Sequence, residues 1–197
     1  IMSADYSQIE LRVMAAHSGD VAMMEAFEKG LDIHAATAAR VYGVELDGVL
    51  PEMRRTAKMV NFGLIYGISA FGLSQRLGIP RSESATIIEN YFKQFPGVKR
   101  YIDQIVIDAK RHGYVETLSG RRRYLRDINS ANATIRAGAE RVAMNAPIQG
   151  TAADVIKLAL ILVDRALQAS GLRTRMLLQV HDELLFELPP EEVPQAK

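Results

Sequence analysis

Two short apolar runs near the end of the chain constrain its fold more than any other feature. They are MLLQV at 176–180 and LLFEL at 184–188, and they flank the polar tripeptide HDE at 181–183. Apolar runs of this length around a polar turn predict a β-hairpin. Residues 1–16 begin like a strand and continue as a helix. We therefore predict an α+β fold in which a mostly helical lobe is inserted into a small antiparallel sheet that carries the hairpin.

The intervening helices are predicted from apolar residues that recur every three or four positions. Ser82 is the expected N-cap of one helix, and Pro147 and Gly150 are expected to bend or divide the last one. The segment YVETLSGRRRYL at 114–125 predicts a second hairpin. The predicted helices are two within 20–42, the second ending before Gly43, and one each at about 51–66, 82–95, 98–112 and 131–170.

Composition excludes several classes of protein. Hydrophobic residues make up 48% of the 197 residues, which is typical of a soluble globular protein. No uninterrupted apolar run reaches the roughly 18 residues of a membrane span, so no membrane association is expected. The chain has no cysteine, which leaves oxygen and imidazole as metal ligands and favours a hard cation, Mg²⁺ or Mn²⁺. Both ends look cut, and we expect an excised piece of a larger cytoplasmic protein.

Positive charge is concentrated in one stretch, although the net charge is only +1. Residues 110–141 hold eight strong bases against three acids. Such a stretch is either a solvated basic surface or a phosphate-binding one. Three consecutive arginines, Arg121 to Arg123, follow Gly120 and favour phosphate contact.

The predicted helix at 51–66 carries a functional face. Arg54, Lys58, Phe62 and Tyr66 are each four positions apart, and such positions lie on one side of a helix. The two cations predict phosphate binding, and the two aromatic rings predict stacking on a planar base. The alternative is that both rings belong to the core, which is the commoner fate of aromatics at helical spacing.

Asp5 and Asp182 are the candidate metal ligands. Most aspartates are surface residues or helix caps, and that remains the alternative for each of them. Asp182, however, lies at the tip of an apolar hairpin, where it can share two metals about 3.5 to 4 Å apart with a second acid. The Tyr6 carbonyl and Glu183 are candidate auxiliary ligands, and His181 is expected to contact a nucleic-acid backbone.

Five segments together resemble one family. DYSQIELR at 5–12, RRTAKMVNFGLIYG at 54–67 and QVHDE at 179–183 resemble motifs A, B and C of the family A DNA polymerases, the bacterial DNA polymerase I type. TLSGRRRYL at 117–125 and ERVAMNAPIQGTAAD at 140–154 match two further segments of that family. The resemblance covers nearly the whole chain.

The resemblance implies how the chain is divided. Residues 1–20 and 131–197 would be parts of the palm domain, and residues 21–130 would be fingers that include the nucleotide-binding helix at 51–66. Thumb and exonuclease domains are absent from these residues. The remainder of the polymerase would be supplied by the same parent chain.

The resemblance also implies the roles of individual residues. Asp5 and Asp182 would bind two Mg²⁺ ions, or Mn²⁺ in their place, with the Tyr6 carbonyl joining one of them. Lys58 would protonate the pyrophosphate leaving group. The triphosphate would be held by Gln8, His34, Arg54 and Lys58. Around the nucleoside would lie Glu10 as the gate against a ribose 2′-hydroxyl, Phe62 on the deoxyribose and Tyr66 near the templating base. The DNA-binding residues would be Arg141, Asn145, Gln149, His181, Arg121 and Arg122.

The implied function is template-directed DNA synthesis in replication or repair, from dNTPs on a DNA primer-template, in a bacterial nucleoid or a virus-infected cell. Two alternatives stay open. The first is a non-catalytic DNA-binding fragment of such a polymerase, which the basic stretch at 110–141 supports. The second is a metal-dependent phosphohydrolase, which needs the carboxylates but gives no role to Phe62 and Tyr66.

Overall fold

The computed structural model describes residues 1–196, which form two compact units. The sheet unit comprises residues 1–9 and those from 151 onward, and the helical unit comprises Glu10–Gly150. These units do not define palm and fingers, so that division stays a prediction. The strands are β1 Met2–Asp5, β2 Tyr114–Glu116, β3 Arg122–Tyr124, β4 Arg175–Val180 and β5 Glu183–Glu187. The helices are α1 Ile9–Ser18, α2 Val21–Glu28, α3 Ile33–Tyr42, α4 Pro51–Ile65, α5 Ala70–Leu77, α6 Arg81–Gln94, α7 Pro96–His112, α8 Ala133–Ser170 and α9 Val193–Ala196.

The sheet unit is built on a three-stranded antiparallel sheet with the order β1-β5-β4. Successive side chains of a strand point to opposite faces, and Leu184 and Phe186 of β5 are both buried while Leu185 between them is only half-buried. This alternation fixes the register in which Asp5 lies opposite Glu183. The predicted hairpin and the mostly helical α+β character of the chain are thus confirmed.

The helical unit is held by an apolar core to which helices α1 to α7 contribute. Its largest fully buried side chains include Leu11, Met23, Ile33, Val60 and Tyr91. The second hairpin, β2-β3, is also confirmed. A separate cluster packs this hairpin against α7 and the first part of α8; its buried members are Ala109, Val115, Leu125, Ile128 and Ala143.

One buried acid ties two helices of this unit together. Asp20 is the N-cap of α2, where its Oδ1 accepts from the Met23 backbone N–H at 3.1 Å. Its Oδ2 accepts from the Gly97 backbone N–H in the first turn of α7 at 2.7 Å. Because the exposed fraction of Asp20 is only 2%, this carboxylate is a buried polar group whose two oxygens both have partners.

Helix α3 illustrates where sequence patterns determine the ends of helices. Gly43 has a φ of +68° and caps its C-terminus, as predicted. The predicted cap of α6 is wrong: this helix begins at Arg81 after Pro80, and Ser82 already lies within its first turn. Pro80 is the N-cap residue of α6, and no side chain caps the helix there. Because the proline ring already fixes the backbone φ at this position, the helix can begin without a capping serine. Helix α5, which begins at Ala70 after its N-cap Ser69, was not predicted.

Helix α8 is continuous from Ala133 to Ser170, so it is not divided at Pro147 or Gly150, and the alternative prediction of a bend there stays a prediction. An interior proline removes one backbone hydrogen bond and crowds the preceding turn. Here Pro147 and Ile148 are buried, and their packing, together with 38 residues of cooperative helix, offsets that loss.

The same helix carries an apolar face. By length and composition alone α8 could cross a membrane, with a mean hydropathy of 1.5 over an 18-residue stretch of which 28% is buried. Core helices of soluble proteins pass the same test, so the expected absence of membrane association stays a prediction. Leu158 and Leu162 are exposed by 63% and 64%. The described residues therefore leave part of this face uncovered.

Candidate active site

In the sheet unit, two acids from distant parts of the chain lie at neighbouring strand ends. Asp5 is the last residue of β1 and is opposite Glu183, the first residue of β5. The Tyr6 backbone N–H donates to the Asp182 carbonyl oxygen at 3.0 Å. The pairing of β1 with β5 therefore brings Asp5 and Asp182 together at one edge of the sheet, next to the Tyr6 backbone.

The turn that presents Asp182 is conformationally unusual. His181 has a φ of +55°, in the left-handed region that residues other than glycine seldom adopt. Its carbonyl oxygen accepts from the Gln179 side-chain amide at 2.6 Å. The His181 side chain is exposed, whereas Asp182 is half-buried. The hairpin thus holds the acid against the sheet and leaves the imidazole open to a partner.

The donor set at this edge fits a hard divalent cation. Asp5, Asp182 and the Tyr6 carbonyl offer only oxygen atoms, as Mg²⁺ and Mn²⁺ prefer. Within residues 1–196 no group of three or more acidic or imidazole side chains gathers as a complete metal cage. Mg²⁺ commonly binds one or two carboxylates and takes its other ligands from water and substrate phosphates. Glu183 accepts a hydrogen bond from the Ser3 hydroxyl and is therefore already engaged.

In the helical unit, α4 has a buried face and an exposed face. Ala57, Val60 and Leu64 are buried in the core. Arg54 and Lys58 are exposed, and Phe62 is half-buried. The exposed fraction of Tyr66, which ends the helix, is 37%. The alternative in which both aromatic rings are core residues is thus not supported, because neither ring is buried.

Arg54 is held by an acid that the sequence reasoning missed. Its Nε–H donates to Asp32 Oδ2 at 2.7 Å. Asp32 is also the N-cap of α3, where its Oδ1 accepts from the backbone N–H of His34 at 2.9 Å. The sequence signal for Asp32 is its position directly before the first residue of a predicted helix. Its pairing with Arg54 has no such signal, because it depends on the packing of α3 against α4.

His34 is buried and has a polar partner on α4. Its Nδ1 lies 3.1 Å from the Asn61 side-chain nitrogen, and its ring centroid lies 5.7 Å from that of Phe62. Burial lowers the pKa of His34; the Asp32 carboxylate raises it, and the Arg54 and Lys58 charges lower it further. The ring is therefore neutral near pH 7. If Nδ1 accepts from the Asn61 amide, the ring hydrogen is on Nε2.

Asn61 also escaped the sequence reasoning. It is fully buried, and its amide exchanges hydrogen bonds with the Thr37 hydroxyl at 3.1 and 3.2 Å. A buried amide requires such partners, so an asparagine on the core side of an amphipathic helix is the signal that could have identified it.

The predicted gate residue is linked to the end of α4. The Tyr66 hydroxyl donates to Glu10 Oε2 at 2.6 Å. Gly67 follows with a φ of +67°, and a Cβ there would lie 2.7 Å from Met144 Cε and 3.0 Å from Arg141 Cγ. Glu10, Tyr66 and Arg141 therefore surround the turn that ends α4.

The other predicted DNA contacts differ in how they are engaged. Arg121 Nη2 donates to the Gly150 carbonyl oxygen at 3.0 Å, and Gln149 is exposed beside it. Within residues 1–196 the buried Asn145 Oδ1 has no hydrogen-bond partner. Arg122 Nε donates to Glu116 Oε1 at 2.6 Å within the β2-β3 hairpin, and both side chains stay exposed to solvent.

The predicted site residues belong to both units. Asp5, Tyr6, Gln8, His181, Asp182 and Glu183 belong to the sheet unit, and the others belong to the helical unit. Their catalytic and binding roles stay predictions. Within each unit, the structure brings together Asp5 with Asp182, and Glu10 with Tyr66.

Comparisons with known proteins give one consistent result. A family model described as DNA polymerase family A matches residues 1–197. DNA polymerase I of Chloroflexus aurantiacus is 60% identical over 195 residues, which cover 99% of this chain and 21% of that protein. DNA polymerase I of Bacillus caldotenax is 57% identical over 193 residues, which cover 98% of this chain and 22% of that protein.

A solved structure is also similar. It is described as the POL domain of Pol1 from M. smegmatis in complex with DNA primer-template and dNTP. It matches with a TM-score of 0.94 and 50% sequence identity, over 98% of this chain and 34% of that chain. The present chain thus spans about a fifth of the length of the curated relatives that it matches.

Proposed function

The chain belongs to DNA polymerase family A, and we propose that it is the palm and fingers part of a template-directed DNA polymerase, which joins dNTPs to a primer 3′-hydroxyl by a two-metal mechanism. The observation that carries this proposal is the antiparallel pairing of β1 with β5, which sets Asp5 beside Asp182. The similar structure with primer-template and dNTP supports the same class of substrates.

Asp5, Asp182 and the Tyr6 carbonyl would hold the two divalent ions. When bound, Mg²⁺ or Mn²⁺ would neutralise the negative charge of the triphosphate and activate the primer hydroxyl, which displaces pyrophosphate in line. The chain's own contribution is to fix two carboxylates, Asp5 at the end of β1 and Asp182 in the turn before its partner strand β5. This preorganisation means that the protein does not have to rearrange as charge develops during the reaction.

Arg54, Lys58 and His34 would bind the triphosphate. The guanidinium and the ammonium group supply charge-assisted hydrogen bonds to phosphate oxygens. Lys58 would also deliver a proton to the leaving pyrophosphate. His34, neutral and bonded through Nδ1 to Asn61, offers Nε2–H as a donor that adds no charge. Gln8 would complete this set.

Glu10, Phe62 and Tyr66 would select the nucleotide. The bond between Tyr66 and Glu10 holds a carboxylate at a defined place, where it would leave no room for a ribose 2′-hydroxyl. The exposed ring of Tyr66 and the half-buried ring of Phe62 offer flat apolar faces to base and sugar.

Arg141, Asn145, Gln149 and His181 would contact the primer-template, with Arg121 and Arg122 adding positive charge near the backbone. The minor groove presents acceptors that are common to all correct base pairs. The exposed side chains of Arg141 and Gln149 carry the N–H donors that such acceptors require.

The remainder of the parent chain would complete the enzyme. The chain spans 21% of one curated relative and 34% of the matching structure. The exposed apolar side chains of α8, such as Leu158 and Leu162, are suited to packing against a further part of the same protein. Such a polymerase would act in the cytoplasm, where the chromosome of a bacterium lies.

The test is primer extension by the full-length parent chain, with pyrophosphate and phosphate release measured in the same reaction. Wild type should release pyrophosphate as the primer grows, and Asp5→Ala and Asp182→Ala should each lower the rate by at least about 1,000-fold. Asp103→Ala, which removes an exposed acid on α7, serves as the control and should extend normally. Free phosphate as the product would instead indicate a phosphohydrolase. Salt-dependent DNA binding without turnover would indicate a non-catalytic fragment.

A further inference from the structure

We propose that Asp32 is a positioning residue for triphosphate binding: it orients the guanidinium of Arg54 while it holds the N-terminus of α3, which carries His34. This inference rests on the proposed function of Arg54 and His34. Asp32 itself does not contact the nucleotide.

The geometry gives the two carboxylate oxygens different tasks. Oδ1 accepts from the backbone N–H groups of His34 at 2.9 Å and of Ala35 at 3.2 Å. Oδ2 accepts from Arg54 Nε at 2.7 Å. A single side chain therefore joins the first turn of α3 to the first turn of α4.

Capping alone does not explain why this residue is an acid. Serine and asparagine cap helices about as well as aspartate does, and they need only one oxygen for that purpose. The second oxygen serves only the contact with Arg54. The side chains of Arg54 and Asp32 are exposed by 45% and 39%, and exposed ion pairs contribute little to stability. The contact is therefore better explained by orientation than by stability.

The orientation suits a phosphate ligand. The Nε–H of Arg54 is taken by Asp32, whereas neither of its Nη nitrogens has a hydrogen-bond partner within residues 1–196. A guanidinium held along its Nε edge keeps its other donors in a fixed plane, which matches the oxygens of a phosphate. Without Asp32, a long and flexible side chain has to be ordered when the triphosphate binds, and that ordering weakens binding.

The charge of Asp32 acts in the opposite direction, because a carboxylate near a triphosphate repels it. The proposal states that orientation outweighs this repulsion. Loss of the carboxylate should therefore raise KM for dNTP. A fall in KM would show that repulsion dominates and would overturn the proposal.

The experiment measures single-nucleotide primer extension by the full-length parent chain. Asp32→Ser retains a capping oxygen but is too short to reach Arg54, and Asp32→Asn retains the cap but offers an amide in place of the accepting oxygen. Each should raise KM for dNTP by about 3- to 10-fold with kcat within twofold of wild type. The affinity for primer-template should not change. Asp103→Ser is the matched control, because it also removes an exposed acid that pairs with a cation, Lys99, and it should leave KM unaltered.

A double-mutant cycle with Arg54→Ala separates positioning from a general effect on the fold. If Asp32 acts through Arg54, Asp32→Ser should change KM by less than twofold once Arg54 is alanine.

An equal rise in KM in both backgrounds, an unchanged KM in Asp32→Ser, or a lower kcat with unchanged KM would each overturn the proposal. If wild type extends no primer at all, the proposed function fails and this inference falls with it. Normal extension with an unaltered KM in Asp32→Ser refutes this inference alone.

Discussion

The hydroxyl of Tyr66, directly after α4, donates to the carboxylate of Glu10, in the first turn of α1, at 2.6 Å. The two residues are far apart in the sequence and belong to the same helical unit. This bond restrains the Glu10 carboxylate, while 37% of Tyr66 stays exposed. If Glu10 is the sugar-selecting gate, as we propose, that gate depends on the residue that follows α4.

Replacing Glu10 with alanine should ease the entry of ribonucleotides. Removing the carboxylate opens space beside the 2′ position, and we expect the preference for dNTP over rNTP to fall by at least about tenfold. Tyr66→Phe leaves the carboxylate present but unrestrained, so its effect should be smaller. Competition between dNTP and rNTP in primer extension measures the preference of wild type and of each variant. Unaltered discrimination in Glu10→Ala would remove Glu10 from the gate.

Replacing His181 tests whether the imidazole or only the backbone of the hairpin turn matters. The φ of +55° is unstrained for glycine, so His181→Gly should preserve the hairpin or stabilise it by about 1 kcal/mol. His181→Ala keeps the strain and removes the ring. If the ring contacts DNA, both variants should bind primer-template more weakly than wild type. Normal DNA affinity in His181→Gly would show that the side chain has no such role.

Gly97 should tolerate no side chain, because a Cβ there would lie 2.8 Å from the Asp20 backbone and carboxylate. We expect Gly97→Ala to lower the free energy of unfolding by about 1 to 3 kcal/mol, since the buried bond to Asp20 must shift. Gly138 in α8 is the matched control: it has nothing within 4 Å of an added Cβ, and Gly138→Ala should stabilise the helix by about 0.5 to 1 kcal/mol. Denaturant unfolding measures the free energy of unfolding of both variants. Equal free energies for Gly97→Ala and Gly138→Ala would mean that the hydrogen bond from Gly97 to Asp20, which joins α7 to α2, does not stabilise the fold.

The lowered pKa of His34 predicts how stability depends on pH. Burial favours the neutral ring, so the folded-state pKa lies below the ordinary value of 6.5. The contribution of His34 to stability is then fully present above pH 6.5 and is lost as the pH falls through the folded-state pKa. His34→Gln removes this titration, whereas His17, a half-buried imidazole whose pKa is also lowered by burial, is retained in both proteins.

Thermal unfolding of wild type and His34→Gln between pH 8 and pH 5 checks this prediction. The stability advantage of wild type should shrink on acidification. An advantage that grows as the pH falls would mean that the folded state prefers the charged ring.

Local patterns in the sequence were enough to predict much of the fold. The hairpin could be predicted because its signal is local: two short apolar runs, 176–180 and 184–188, flank a polar turn. The stop of α3 at Gly43 is likewise local. The predicted start of α6 at Ser82 is wrong because the helix begins directly after Pro80. A serine near a helix start has the same local signal whether or not it caps the helix.

The contacts that assemble the candidate site could not be predicted from spacing alone. Asp5 and Asp182 lie close together because β1 pairs with β5, and these strands come from opposite ends of the chain. The bonds of Asp32 to Arg54 and of Asn61 to His34 depend on how α3 packs on α4. Sequence periodicity gives the face on which a side chain lies, but it does not give the partner helix or the register between helices.

The most direct measurement is a crystal structure of the full-length parent chain with primer-template, dNTP and Mn²⁺, in which anomalous scattering locates the metal. If Asp5 and Asp182 share the metal site, Mn²⁺ should lie within about 2.5 Å of a carboxylate oxygen of each residue. Manganese bound by only one of these residues, or at a different place in the protein, would contradict that shared site.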